Sequence, residues 1–130
     1  MITALYASVL AIWICWLVIN VVKARLKNQV AHGDGGVDTL VVARSAHSNA
    51  TETIPIALIL LFALELNGGP NALLHVFGLA LVFGRFLHAK GILSNTLKYR
   101  KLGMQITLFS ILLLAVANFI FLPFDKLFAL

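Results

Sequence analysis

Charge is what this chain most lacks. Of its 130 residues only 12% are Asp, Glu, Lys or Arg, while 61% are hydrophobic. A soluble domain carries about 25% charged and about 45–50% apolar residues. There is too little polar surface here to coat a globule in water, so lipid is the natural solvent. Cysteine is nearly absent as well. The single Cys15 excludes an internal disulfide and a cysteine metal cluster, and it leaves the redox compartment open. His32 and His47 do not form a metal-ligand spacing. A net charge of +5 would suit nucleic acid in a polar chain. In this one the cations flank hydrophobic runs, which is the pattern of membrane topology and not of a nucleic-acid partner.

What is present is a series of long apolar runs. Ile2 to Val22 carries no charge and is long enough to cross a hydrocarbon core of about 30 Å at about 1.5 Å per residue. It lacks a basic n-region and exceeds an h-region in length, so it reads as a retained helix and not a signal peptide. The turn at Gly33-Asp34-Gly35-Gly36 and the tight Asn67-Gly68-Gly69-Pro70 turn divide the chain further. The pattern predicts one membrane domain over 1–130, with helices at about 2–25, 39–66, 71–92 and 102–122. Pro55 is expected to kink the second, since neighbouring helices in a membrane re-satisfy the freed carbonyl. The fold class is an all-α bundle of four transmembrane helices.

Orientation follows from the cations. Lys23, Arg25, Lys27, Arg44, Lys90, Lys98, Arg100 and Lys101 fall in or beside the first and third connections, whereas Lys126 and the N-terminal amine are on the other side. The positive-inside rule places the basic loops in the cytoplasm and both termini outside. Membrane lipids are therefore the first expected partner.

Helical rise gives depths. Glu52 lies fourteen residues before the end of the second helix, and Arg85 fourteen after the start of the third, so both are about 21 Å from the outer end. Asn49 and His88 lie one turn nearer the basic end, with Lys23, Arg25 and Arg100 at the rim. Intramembrane ionisable groups cost about 2.5–3.5 kcal/mol each on insertion scales and face a partner or a wet cavity. Asn49 with Glu52, and Arg85 with His88, are at i,i+3 and share helix faces. This describes a polar funnel, mostly cationic with one carboxylate, suited to a small anion that also carries an amine. Plainer roles compete. Glu52 and Arg85 would also serve as an interhelical ion pair that sets register, and phospholipid headgroups account for the rim cations. His75, Trp13, Trp16, Cys15 and Met104 read as packing or lipid-facing residues, and Glu65 and Asp125 as interfacial.

The segment Ala46-His47-Ser48-Asn49-Ala50-Thr51-Glu52-Thr53-Ile54-Pro55 resembles the second-helix signature of the MAPEG family, the membrane-associated proteins in eicosanoid and glutathione metabolism. Gly84-Arg85-Phe86-Leu87-His88-Ala89-Lys90-Gly91, followed by Arg100-Lys101-Leu102-Gly103, is similar to the family's third helix and basic loop. The glycine-rich first turn is similar to that of small bacterial inner-membrane members. The likeness spans essentially the whole chain. It implies a bacterial inner-membrane homotrimer binding glutathione, as co-substrate, between neighbouring subunits. Carried over by position, Asn49 and Glu52 would hold the glutathione backbone. Arg25 or Lys23 would meet a carboxylate, with Arg44, Arg85 and His88 completing the binding set. Arg100 would be the catalytic loop arginine that stabilises the thiolate.

Three positions depart from the pattern. Ser45 stands where members carry arginine four residues before the asparagine, and Arg44, one residue earlier, is rotated by about 100°. His88 and Ile92 stand where transferase members carry tyrosines, so no phenol is available there. The resulting expectation is a glutathione-dependent transferase or peroxidase acting on a lipophilic small-molecule electrophile from the bilayer. The alternative is a non-catalytic lipid-binding or scaffolding protein of the same fold. A four-helix drug exporter would need a carboxylate in the first helix, and none is there.

Overall fold

A computed structural model describes residues 1–124, which form four helices: α1 (Ile2–Asn28), α2 (Asp38–Leu66), α3 (Asn71–Leu93) and α4 (Leu97–Ile120). Asp125 and Lys126 lie outside the described residues. Each helix is long and apolar enough to cross a membrane. Helix is the form such segments must take, because it satisfies every backbone group within the segment where no water can. Pro55 sits inside α2 without ending it.

Three helices end alike. Gln29, Gly68 and Asn95 take left-handed φ values of 54°, 78° and 51°. The N–H of the next residue then reaches five residues back, from Val30 to Arg25 O, Gly69 to Leu64 O and Thr96 to Gly91 O. This is the Schellman closure, which satisfies carbonyls otherwise orphaned at a helix end. The start of α1 is closed from outside. The Glu65 carboxylate at the end of α2 accepts from Ile2 N (2.5 Å) and Thr3 N (2.9 Å). Glu65 is thus an N-terminal cap and not merely an interfacial charge.

The start of α4 corrects the sequence reading. It begins at Leu97, five residues before the expected 102, so Lys98, Arg100 and Lys101 belong to its first turns and not to a loop. A three-residue connection suffices because Asn95 and Thr96 reverse the chain directly off α3.

The inner pair is α2 with α3; α1 packs on both, and α4 packs on both, while α1 and α4 do not meet. One buried cluster, around Tyr6, Leu61, Leu74 and Leu114, fills the end of the bundle near Glu65. A second, around Leu17, Ala46, Ala50 and Ala89, lies toward the basic end. Between α3 and α4 the fit depends on small residues. A Cβ on Gly91 would fall on the backbone of Arg100, and one on Gly103 on the backbone of His88. Close backbone approach of this kind drives helix association in lipid, where no hydrophobic gain separates one apolar surface from another.

Candidate functional site

The polar segment of α2 divides into two stripes, because residues four apart share a helix face. Arg44, Ser48 and Glu52 form an exposed stripe, and Ser45, Asn49 and Thr53 form the next one, turned toward α3 and α4. Asn49 and Glu52 are neighbours on the helix but do not line one wall, since Asn49 bonds Arg85 and Glu52 stays exposed. Glu52 is exposed and accepts a hydrogen bond from Ser48 Oγ at 2.8 Å. The Glu52–Arg85 ion pair does not form either.

Arg85, only 2% exposed, is held by neutral groups instead. Its Nη1 donates to Asn49 Oδ1 (2.7 Å) and Thr53 Oγ1 (2.8 Å), and its Nε donates to Thr107 Oγ1 (2.9 Å). Both hydroxyls pass their own protons on, Thr53 to Asn49 O and Thr107 to Gly103 O. Each charge-assisted bond is worth about 1.5–3 kcal/mol. Three of them exceed an insertion cost of about 2.5–3.5 kcal/mol, so the guanidinium is stable here without a carboxylate. Its Nη2 keeps no protein partner.

This arrangement orients Asn49. With Oδ1 turned to Arg85, the Nδ2 amide is left to face the other way. Asn49 lines a cavity of about 370 Å³ together with Ser45, His88, Arg100, Lys101, Met104 and Gln105, a size within the range of small-molecule sites. Arg85 does not line it and stands behind Asn49 as a support.

His88 has a defined role in the same wall. Its Nδ1 lies 2.8 Å from the carbonyl of Arg100. A carbonyl only accepts, so Nδ1 carries the proton, and Nε2 of the neutral ring is an acceptor. His88 is 4% exposed and lines the cavity. With Nδ1 bonded to the carbonyl, the polar group left to the neutral ring is the lone pair of Nε2. Gly91 makes this possible, since its missing side chain lets the Arg100 backbone lie against α3.

On the other side of α2 lies a polar recess of about 530 Å³, lined by Arg25, Asp34, Arg44, Ser45, His47, Ser48 and Thr51 among others. Arg44 Nη1 meets Asp34 Oδ2 at 3.3 Å, which directs it to the connecting loop. Arg25 Nη1 donates to the carbonyls of Val30 and Ala31 and is not matched by a carboxylate among the described residues. Ser45 lines both cavities, so they adjoin around α2 at its basic end. Lys23 is exposed and lines neither.

The candidates thus fall into groups. Asn49, His88 and Arg100 share one cavity with Arg85 behind; Arg25 and Arg44 share the other; Glu52 is on the exposed stripe. Sequence reasoning missed Lys101 and Gln105 and read Met104 as packing. Residues 100, 101, 104 and 105 share one helix face, which is legible only once α4 is known to begin at Leu97.

Comparison with known proteins agrees with this architecture. The model of the MAPEG family matches residues 3–120. A protein of Escherichia coli strain K12 called inner membrane protein YecN is 36% identical over 130 residues, covering 100% of this chain and 99% of its own. A protein of the same name from E. coli O6:H1 strain CFT073 matches to the same extent.

Proposed function

The chain belongs to the MAPEG family, and from that premise we propose that it is a glutathione-dependent transferase or peroxidase of a bacterial inner membrane. Its basic end faces the cytoplasm, and its electrophiles are lipophilic and arrive from the bilayer. The observation that carries this reading is the basic-end cavity lined together by Asn49, His88, Arg100 and Lys101.

Glutathione has two carboxylates, an ammonium and a thiol, and the residues supply a match for each. Arg25 and Lys101 are cations for the carboxylates, and the Asn49 amide donates to the peptide. Glu52 suits the ammonium, but it stands on the exposed stripe of α2 with Arg44, Ser48 and Thr51. A polar stripe at membrane depth is unfavourable against lipid. In the proposed homotrimer a second copy of the chain would cover this stripe, with each glutathione held between subunits.

The chemistry follows from thiol acidity. A free thiol has a pKa near about 8.5, and the thiolate is the nucleophile. The sulfur's proton passes to the His88 imidazole, and Arg100 stabilises the remaining negative charge. The thiolate then attacks the electrophilic carbon and the C–S bond forms. The carbon–leaving-group bond breaks with its electron pair on the leaving group (chloride, for chlorodinitrobenzene), and His88 releases its proton to water or to the leaving group. A water-poor site strengthens the arginine's effect. His88 supplies the acid–base group that an absent phenol does not: Tyr6 is bonded to His75 instead, on the first turns of α1 and α3.

The test is glutathione binding by native mass spectrometry in detergent, paired with conjugation of chlorodinitrobenzene and reduction of a lipid hydroperoxide. Binding with turnover of either substrate supports the proposal. No binding and no turnover ends it. Binding without turnover favours the non-catalytic scaffolding alternative.

A further inference from the structure

On the face of α1 that packs against α3, away from the recess shared with α2, lies a groove of about 600 Å³. Its walls are Trp13 and Trp16 from α1, and Phe83 and Phe86 from α3, with Lys90 and Ser94 at the basic end. Trp16 stacks on Trp13 with centroids 4.7 Å apart, and Trp13 stacks on Phe86 at 3.9 Å, making one aromatic wall that joins the two helices. Phe83 is 58% and Trp16 43% exposed, and no α4 residue lines the groove.

Tryptophan in membrane proteins gathers at the headgroup level. Here Trp16 and Trp13 lie seven and ten residues before Lys23, about 10 and about 15 Å below the cationic rim. They are too deep to be headgroup anchors. Polarity is confined to one end of the groove. Lys90 is its one cation, placed 5.4 Å from the Tyr99 ring, and no carboxylate among the described residues pairs with it. The Ser94 hydroxyl is spent on Lys90 O and Thr96. The groove therefore matches an amphiphile with one anionic head and an apolar tail. A second copy is the weaker occupant, because the polar stripe that needs covering is on α2, on the other side of α1.

We propose that this groove is a binding site for an anionic phospholipid of the leaflet at the basic end, its phosphate at Lys90 and one acyl chain along Trp16, Trp13, Phe86 and Phe83. The wall holds no acidic group to meet the ammonium of a zwitterionic head, so selection rests on the lysine. The site is separate from the thiol cavity and does not depend on it.

The chain has two tryptophans, Trp13 and Trp16, so intrinsic fluorescence reads this groove alone. The full-length protein is placed in phosphatidylcholine vesicles containing a small fraction of lipid with brominated acyl chains. Brominated phosphatidylglycerol should quench at about fivefold lower mole fraction than brominated phosphatidylcholine, the preference expected of one lysine near an anionic head. Lys90→Glu should remove the preference while leaving quenching by the brominated phosphatidylcholine intact, and Lys98→Glu should preserve it. Equal quenching by both lipids, or an equal effect of Lys98→Glu, would show general solvation or surface charge and overturn the proposal. Absence of quenching by either lipid would show that protein covers the groove, and overturns it too.

Discussion

Arg85 Nη1 donates to Asn49 Oδ1 at 2.7 Å across the α2–α3 interface, and that bond decides which way the asparagine presents its amide to the basic-end cavity. A buried cation, met by three neutral acceptors, thereby sets the polarity of a wall it does not itself reach.

Arg85→Leu should weaken glutathione binding about tenfold, because the amide is free to flip and its donor is no longer held toward the ligand. The three charge-assisted bonds that outweigh its insertion cost are lost with it, so the thermal midpoint in detergent should fall as well. A calorimetric affinity equal to wild type would contradict the orienting role.

His88→Ala should lower turnover by about a hundredfold or more, the usual contribution of a positioned acid–base group, with glutathione affinity within about threefold. Arg100→Ala should likewise reduce turnover more than binding. Single-turnover conjugation beside equilibrium binding separates the two. A loss confined to affinity would assign both residues to holding the ligand only.

Glu52→Gln should weaken glutathione binding without loss of stability, since the carboxylate is exposed and meets only Ser48 Oγ. If the site lies between subunits, co-expressing Glu52→Gln with Arg100→Ala should restore part of the activity, because some interfaces then carry neither change. Activity no higher than the two variants alone would place the site within one subunit.

Gly91→Ala should destabilise the α3–α4 pair by about 1–3 kcal/mol, as overpacking does, because its Cβ would fall on the Arg100 backbone. It should also separate the Arg100 carbonyl from His88 and reduce turnover. Glu65→Ala, which orphans the N–H groups of Ile2 and Thr3, should cost about 0.5–2 kcal/mol and leave turnover unchanged. Thermal aggregation midpoints beside conjugation rates check both.

Much of the fold is legible in the residues, because lipid allows uncharged runs few alternatives to helix. The four spans and the polar segment of α2 follow from that constraint. The site is less legible because rise along a helix gives depth but not direction. Glu52 and Arg85 do match in height, yet they face different neighbours, and Asn49 and Thr53 take the place of the carboxylate. The early start of α4 is hidden because Leu97-Lys98-Tyr99-Arg100-Lys101 is polar enough to read as loop. What makes it helix is close packing at Gly91 and Gly103, and a contact between glycines and a distant backbone leaves no periodic trace. The Glu65 cap is invisible for the same reason, joining residues 62 and 63 positions apart.

The central claim is that the basic-end cavity binds glutathione as its thiolate. Ultraviolet difference absorbance of the purified protein on adding glutathione at neutral pH reads the thiolate directly. A thiolate band that saturates with glutathione and is lost in Arg100→Ala and His88→Ala is the predicted result. Saturable binding with no thiolate band, or a band unchanged in both variants, would contradict it.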